Sequence, residues 1–132
     1  MIEVSAGIVK SGNEILCFQR GPSKYGYLSN KFEFPGGKVE PGETPYEALV
    51  REFREELKVD ISKCNIQPLC AVEHTYPDFS VRLHVFVVDV KSFDYTLTEH
   101  LSSKRITKKE IYEIDWAEAD IKIVNELKKV LK

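Results

Sequence analysis

The segment from Thr44 to Leu57 constrains the fold most strongly, because several independent signals mark it as one helix. Thr44 can cap the helix, Pro45 suits its first position, and Glu47 stands three residues after the threonine. This is a capping box, with proline where its missing N–H does no harm. The helix is predicted to end at about Leu57 or Lys58. Its apolar arc is expected to face the core and holds Tyr46, Leu49, Val50, Phe53 and Leu57.

A second arc of this helix, about 100° wide, carries Glu52, Glu55 and Glu56. Three crowded carboxylates repel one another, and no cation stands four residues beyond any of them, where the chain has Glu56, Val59 and Asp60. A divalent cation would neutralise the cluster, and carboxylate oxygens suit Mg²⁺. The alternative is a solvated acidic face, which is what most acidic clusters on helices are.

The residues around the acidic arc favour a ligand site. Gly36 and Gly37 precede the helix and let the backbone approach a ligand closely. Gly42 and Glu43 follow in the same loop. Arg51 stands beside the carboxylates and can hold one of them in a fixed orientation.

The rest of the chain is predicted to form strands before and after this helix, and then a last helix. Apolar alternation predicts strands at 2–10, 15–20, 69–74 and 81–91, with a short extended piece at 32–34. A short helix is predicted to start at Thr107, with Glu110 completing a second capping box. The final amphipathic helix carries Ile121, Val124, Leu127 and Leu131. This order indicates an α/β fold, a mixed sheet with helices packed on it.

Length and composition set the outer bounds. The 132 residues favour a single domain over residues 1–132. A net charge of −2 provides no global basic field, so no nucleic-acid polymer is expected as a partner. Three cysteines without CxxC spacing predict free thiols in a reducing cytoplasm and no structural zinc. No signal peptide is recognisable and no apolar run has the length of a membrane span, so no membrane partner is expected.

The stretch from Gly37 to Val59, GKVEPGETPYEALVREFREELKV, resembles a Nudix box. That box has a glutamate six residues after its glycine and Arg-Glu eight residues after that glutamate. An apolar residue, any residue and a Glu-Glu pair follow. The positions that match after the glycine are Glu43, Arg51, Glu52, Phe53, Glu55, Glu56 and Val59. A spaced match of this length is highly specific.

Two positions depart from the box, and three flanking segments extend the resemblance. Phe53 is larger than the usual aliphatic residue, and Lys58 replaces a glycine that normally serves the end of the helix. Residues 30–37, 76–78 and 115–120 are similar to the MutT branch of the Nudix family. The similarity therefore covers nearly the whole chain.

The resemblance implies a fold, a reaction and a metal site. The fold is the Nudix α/β/α sandwich, with a mixed sheet between helices. The reaction is Mg²⁺-dependent hydrolysis of a nucleoside triphosphate to the monophosphate and pyrophosphate, with Mn²⁺ as a substitute metal. Glu52 is expected to be the general base, and Arg51 and Glu43 orient the site. The implied metal ligands are the Gly36 carbonyl and the carboxylates of Glu52, Glu55, Glu56 and Glu99.

The expected nucleotide contacts are Arg20, Phe32, Phe79 and Asp120, each with an ordinary structural alternative. Arg20 could be a surface arginine at a strand end, and the two aromatic residues could belong to the core. Asp120 could instead be a carboxylate favoured by the dipole of the last helix. Phe79 and Asp120 stand where the bacterial MutT pattern has arginine and asparagine, so its substrate contacts need not transfer. A cytidine-type triphosphate is the first expectation and an oxidised guanine nucleotide the second.

Two other functions stay open at this stage. One is hydrolysis of another nucleoside diphosphate derivative, such as a dinucleoside polyphosphate or ADP-ribose. The other is a catalytically silent domain that only binds a nucleotide, against which the intact Glu52, Glu55 and Glu56 argue. The expected partner is a small nucleotide, and the chain is expected to be a monomer or a homodimer.

Overall fold

The computed structural model describes residues 1–97 and 100–129, which form one mixed sheet with a helix on each face. The elements in chain order are β1 (Ile2–Ser11), β2 (Glu14–Gln19), β3 (Phe32–Glu33), β4 (Gly36–Lys38), α1 (Pro45–Leu57), β5 (Asn65–Thr75), β6 (Ser80–Asp89), β7 (Ser102–Ile106), a single 3₁₀ turn (Glu110–Glu113) and α2 (Glu118–Lys128).

Strand β1 lies at the centre of the sheet. One of its edges pairs in parallel with β6 along nearly its whole length. Its other edge pairs antiparallel with β2 towards the C-terminal end and with β4 towards the N-terminal end. Strand β3 pairs with the far end of β2, so residues 32–38 fill the gap where β1 and β2 diverge. Strand β5 pairs with β6, and β7 pairs with β2.

The side-chain alternation along β1 and β2 separates two apolar layers. Ala6 and Ile8 of β1 belong to the layer beneath α2, whereas Val9 belongs to the layer beneath α1. The α2 layer includes Ile123, Val124 and Leu127, and the α1 layer includes Leu49, Phe53 and Leu57. This arrangement confirms the predicted α/β/α sandwich with a mixed sheet between helices.

A glycine accommodates the large Phe53 of the box. A Cβ atom at Gly7 of β1 would come within 2.8 Å of the Phe53 ring carbon Cζ. The aromatic ring therefore occupies space that a side chain on β1 would need. The departure at Phe53 is compensated by a residue far away in sequence.

The capping box of α1 is confirmed atom by atom. The Glu47 N–H donates to Thr44 Oγ1 at 3.1 Å, and the Thr44 N–H donates to Glu47 Oε1 at 2.9 Å. The core assignment of Tyr46 is wrong, because this residue is 42% exposed. Tyr46 lies in the first turn, and the buried contacts of the helix begin at Ala48 and Leu49.

Several predicted elements differ from the structure. Strands β4 and β7 were not expected, because one is rich in glycine and the other is a polar edge strand with no apolar alternation. The helix expected at Thr107 is only a 3₁₀ turn, although Glu110 Oε1 does accept from the Thr107 N–H at 3.0 Å. In α2, Ile121 is 44% exposed and Ile123 takes its place in the core. Leu131 lies outside the described residues.

Cys17, Cys64 and Cys70 are free thiols, as predicted. Among the residues that the structure describes, no helix combines the length and the apolar character needed to cross a membrane.

Candidate active site

Arg51 is the hub of the acidic side of α1. Its Nε donates to Glu43 Oε2 at 2.7 Å, and its Nη2 donates to Glu43 Oε1 at 3.0 Å and to the Lys38 carbonyl at 2.9 Å. Its Nη1 donates to Glu52 Oε1 at 2.9 Å and to Glu55 Oε2 at 3.2 Å. The planar guanidinium thus joins the loop before α1 to two carboxylates on the helix. Arg51, one residue before Glu52, therefore neutralises part of the charge of the acidic arc.

Hydrogen bonds and opposite charges stabilise the ionised forms of Glu43 and Arg51. The Arg51 hydrogen bonds lower the pKa of Glu43, and the backbone N–H of Glu40, 2.9 Å from Glu43 Oε1, lowers it further. The hydrogen bonds with Glu43 also raise the pKa of Arg51, and Glu52 raises it further. Glu43 and Arg51 therefore form a permanently charged pair at neutral pH, with geometry fixed by two parallel hydrogen bonds.

Two glycines bring the backbone of the preceding loop against α1 and β1. A Cβ atom at Gly37 would collide with the carboxyl group of Glu52, so a side chain here would displace that carboxylate. Gly36 has a φ of 153°, and a Cβ atom there would collide with the Ser5 carbonyl oxygen. Close approach to neighbouring groups is a physical reason for both glycines, and the positive φ is a second reason at Gly36.

Three of the expected metal ligands, Glu52, Glu55 and Glu56, belong to α1. Glu52 is turned towards Gly37 with its side chain 14% exposed, Glu55 is 60% exposed, and Glu56 lines the cavity described below. Within residues 1–97 and 100–129, no three His, Cys, Asp or Glu side chains converge closely enough to hold an ion. Glu99 lies outside the described residues. The hard oxygen donors and the glycine that makes room for the Glu52 carboxylate nevertheless fit a divalent cation.

A cavity of about 710 Å³ extends from this site along the α2 side of the sheet. Its lining includes Gly36, Gly37, Lys38 and Glu56, and also Arg20, Glu33, Phe79 and Asp120. The backbone beside the box and the predicted nucleotide contacts are therefore parts of one continuous space. A ligand of nucleotide size can reach both.

Asp120 is a buried ionisable residue of this cavity. It lies in the first turn of α2 and is only 7% exposed. Burial raises its pKa well above the ordinary value, and the neighbouring Glu33 raises it further. Arg20 and a hydrogen bond with the Phe34 backbone oppose that shift. The neutral carboxyl form is therefore favoured over a wider pH range than in an exposed aspartate.

Glu33 connects the cavity residues by two side-chain bonds. Arg20 Nη1 donates to Glu33 Oε1 at 2.9 Å, and His100 Nε2 lies 3.0 Å from Glu33 Oε2. Arg20 at the end of β2 and Glu33 in β3 meet because these strands are antiparallel neighbours. The opposite charges at the facing strand ends are the only sequence signal for this pair.

A set of packed aromatic rings borders the cavity, and Tyr25, Tyr76 and Phe79 of this set line it. Tyr25 and Tyr27 of the loop between β2 and β3 meet Tyr76 and Phe79 of the turn between β5 and β6. The ring centroids of Tyr27 and Tyr76 are 5.2 Å apart with an interplanar angle of 12°. Tyr27 Oη also donates to Asp78 Oδ2 at 2.7 Å. The long loop is thereby attached to the sheet.

The structure brings three of the four predicted nucleotide contacts together. Arg20, Phe79 and Asp120 line the cavity. Phe32 is 8% exposed, packs in the core beneath α2 and is not among the described residues that line the cavity. Further lining residues that the sequence did not single out are Lys24, Glu33, Phe34, Lys38 and His100.

Comparison with known proteins agrees with this geometry. The family model described as NUDIX domain matches residues 1–130. An 8-oxo-dGTP diphosphatase of Proteus vulgaris is 33% identical over 105 residues, which cover 80% of this chain and 89% of that protein. A CTP pyrophosphohydrolase of Escherichia coli is 48% identical over 60 residues, which cover 46% of this chain and 43% of that protein.

A solved structure extends the agreement to three dimensions. The E. coli ORF135 protein superposes with a TM-score of 0.82 at 29% sequence identity, covering 98% of this chain and 90% of that chain. The family model, the sequence relatives and the solved structure all indicate the same family. The chain is therefore a member of the Nudix hydrolase family.

Proposed function

We propose that this protein is a nucleoside triphosphate pyrophosphohydrolase, which converts a triphosphate and water into a nucleoside monophosphate and pyrophosphate. Its substrate is a cytidine-type triphosphate, with an oxidised guanine nucleotide as the second substrate. The names of the Proteus vulgaris and E. coli relatives support these two classes. The proposed substrate is a small nucleotide and not a nucleic-acid polymer.

One observation carries the proposal: a single cavity is lined by Gly36 and Glu56 of the box region and by Arg20 and Asp120. A bound nucleotide can therefore have its phosphates at the box while its base lies beside Asp120. Lys24 and Lys38 line the same cavity and offer positive charge to the phosphates.

Nudix hydrolases use divalent metal ions, and we assign Mg²⁺ here because carboxylate and carbonyl oxygens are its preferred ligands. The residues that would hold it are the Gly36 carbonyl and the carboxylates of Glu52, Glu55, Glu56 and Glu99. When bound, Mg²⁺ offsets phosphate charge and makes the attacking water more acidic.

Glu52 is assigned the role of general base. The water oxygen forms a bond to phosphorus, the bridging P–O bond breaks, and the water proton passes to the Glu52 carboxylate. Arg51 fixes that carboxylate through its 2.9 Å hydrogen bond, and Glu43 fixes Arg51 in turn. Arg51 and Glu43 thus orient the base without touching the reacting atoms.

Asp120 is assigned to base recognition, and its protonation selects the base. The ionised carboxylate only accepts hydrogen bonds, so it pairs with the amino group of cytosine. The protonated form both donates and accepts, so it suits the carbonyl and N–H edge of a guanine-like base. Because the pKa of Asp120 is raised, its protonated form persists to higher pH than in an ordinary aspartate.

A nucleotide panel tests the proposal directly. The purified full chain is incubated with Mg²⁺, with Mn²⁺ or with a metal chelator, and monophosphate and pyrophosphate are quantified for each substrate. The panel contains CTP, dCTP, UTP, 8-oxo-dGTP, a dinucleoside tetraphosphate and ADP-ribose. We expect metal-dependent release of pyrophosphate from the cytidine nucleotides first.

The panel also separates the two alternatives. Faster cleavage of the dinucleoside polyphosphate or of ADP-ribose would replace the proposed substrate class. Nucleotide binding without any product would identify a silent binding domain.

A further inference from the structure

Helix α2 begins without a side-chain cap of its own. The residue at its N-cap is Ala117, which has no side-chain oxygen to accept a first-turn N–H. The first N–H groups of a helix have no acceptor within the helix, and a buried N–H without an acceptor is unfavourable. Ala117 and Ala119 are both buried, so a partner from elsewhere in the fold is required.

Tyr76 supplies that partner from the turn between β5 and β6. Its hydroxyl oxygen accepts from the Ala119 N–H at 3.0 Å, and the bond is buried. This N–H is the second of α2, one that a serine or aspartate at the N-cap would ordinarily bind. Tyr76 is itself held in place, because its own N–H donates to the Phe79 carbonyl at 2.8 Å.

The capped turn is the turn that carries Asp120. Asp120 follows Ala119 directly, and its N–H donates to the Ala117 carbonyl at 2.9 Å. Tyr76 and Asp120 line the same cavity. A shift of this turn would therefore move Asp120 relative to a bound base.

We propose that Tyr76 is a positioning residue for base recognition, whose hydroxyl caps α2 and thereby holds Asp120 at the depth where it contacts the base. The inference rests on the base-recognition role proposed for Asp120. It assigns a function to the hydroxyl that is separate from the function of the ring, which stacks on Tyr27 and packs at a tilt against Phe79.

Tyr76→Phe separates the two functions, since it keeps the ring and removes the acceptor. Tyr27→Phe is the matched control, because it keeps a ring of the same stack and removes a hydroxyl that bonds Asp78 instead. The measured quantity is the ratio of kcat/KM for CTP to kcat/KM for UTP. We expect Tyr76→Phe to lower this ratio about tenfold, mainly through KM for CTP, and Tyr27→Phe to leave it within about twofold.

A double-mutant cycle shows whether Tyr76 acts through Asp120. In an Asp120→Asn background, Tyr76→Phe should no longer change the CTP/UTP ratio. An equal change in both backgrounds would mean a general effect of Tyr76 on the fold and would overturn the inference. If Asp120→Asn changes the ratio and Tyr76→Phe does not, the inference alone fails. If Asp120→Asn leaves the ratio unchanged, the proposed role of Asp120 fails and the inference with it.

Amide hydrogen exchange gives a readout that needs no substrate. We expect the Ala119 amide to exchange at least about tenfold faster in Tyr76→Phe than in the wild type, and at the wild-type rate in Tyr27→Phe. Unchanged protection of Ala119 in Tyr76→Phe would overturn the inference whatever the enzyme hydrolyses.

Discussion

Arg51 binds the carboxylate of Glu43 through two parallel hydrogen bonds, from Nε to Oε2 at 2.7 Å and from Nη2 to Oε1 at 3.0 Å. The remaining guanidinium nitrogen is thereby directed to Glu52, at 2.9 Å. One arginine therefore transmits the position of the loop before α1 to the carboxylate assigned as the base.

Arg51→Lys should lower turnover about ten- to a hundredfold while the protein stays folded, because an ammonium cannot keep this forked geometry. The measurement is steady-state hydrolysis of CTP with Mg²⁺, alongside circular dichroism. Arg54→Lys is the matched control on the same helix, where the arginine makes an exposed 3.4 Å pair with Asp60. Equal losses in the two variants would contradict the orienting role.

Glu52→Gln should reduce kcat by several powers of ten, since it keeps the shape of the side chain and removes its charge and basicity. Glu47→Gln is its control, because the glutamine oxygen can still accept from the Thr44 N–H. Near-normal turnover in folded Glu52→Gln protein would remove Glu52 from catalysis.

Lys58→Gly should stabilise the protein by about 1 kcal/mol, because Lys58 ends α1 in the left-handed region, with a φ of 59°. Urea denaturation gives the free energy of unfolding, and turnover should be nearly unchanged. Asn30, at a φ of 60°, is the comparison, since asparagine tolerates this conformation and Asn30→Gly should gain less. Activity lost at unchanged stability would show that Lys58 has a role in the site.

Asp120 should make the wild type less stable as the pH rises. Its pKa is raised in the folded state, so between the unfolded value of about 4 and the folded value only the folded chain holds this proton. The stabilisation is complete below the unfolded pKa and is lost as the pH rises through the folded pKa. Urea midpoints measured across this range should fall more steeply in the wild type than in Asp120→Asn. Parallel curves of urea midpoint against pH for the two proteins would mean that Asp120 is ionised in the folded state.

The same residue should govern base selectivity. In the wild type, the ratio of kcat/KM for CTP to that for 8-oxo-dGTP should increase with pH as Asp120 ionises. Asp120→Asn should lower the preference for CTP over UTP, because asparagine can donate to the uracil carbonyl. If this substitution leaves the CTP/UTP ratio unchanged, Asp120 has only a structural role at the start of α2.

Local sequence patterns determined α1 and the strands on which it packs. The capping box lies within four consecutive residues, 44–47, and the apolar alternation of β1, β2 and β6 repeats over short distances. Such interactions are encoded by neighbours in the chain and can be recognised there. The acidic arc and the glycines of the box were identified in the same way, since helical spacing fixes which side chains share a face.

Only the tertiary structure decided how distant segments complete the site. Phe32 and Phe34 are equally aromatic and both belong to the core beneath α2, but of these two only Phe34 also lines the cavity. The Tyr76 cap of Ala119 joins residues 43 positions apart, and the Arg51 bond to the Lys38 carbonyl depends on the path of a glycine loop. Burial and long-range pairing set these positions and the pKa of Asp120, and neither is determined by residues that adjoin in the chain.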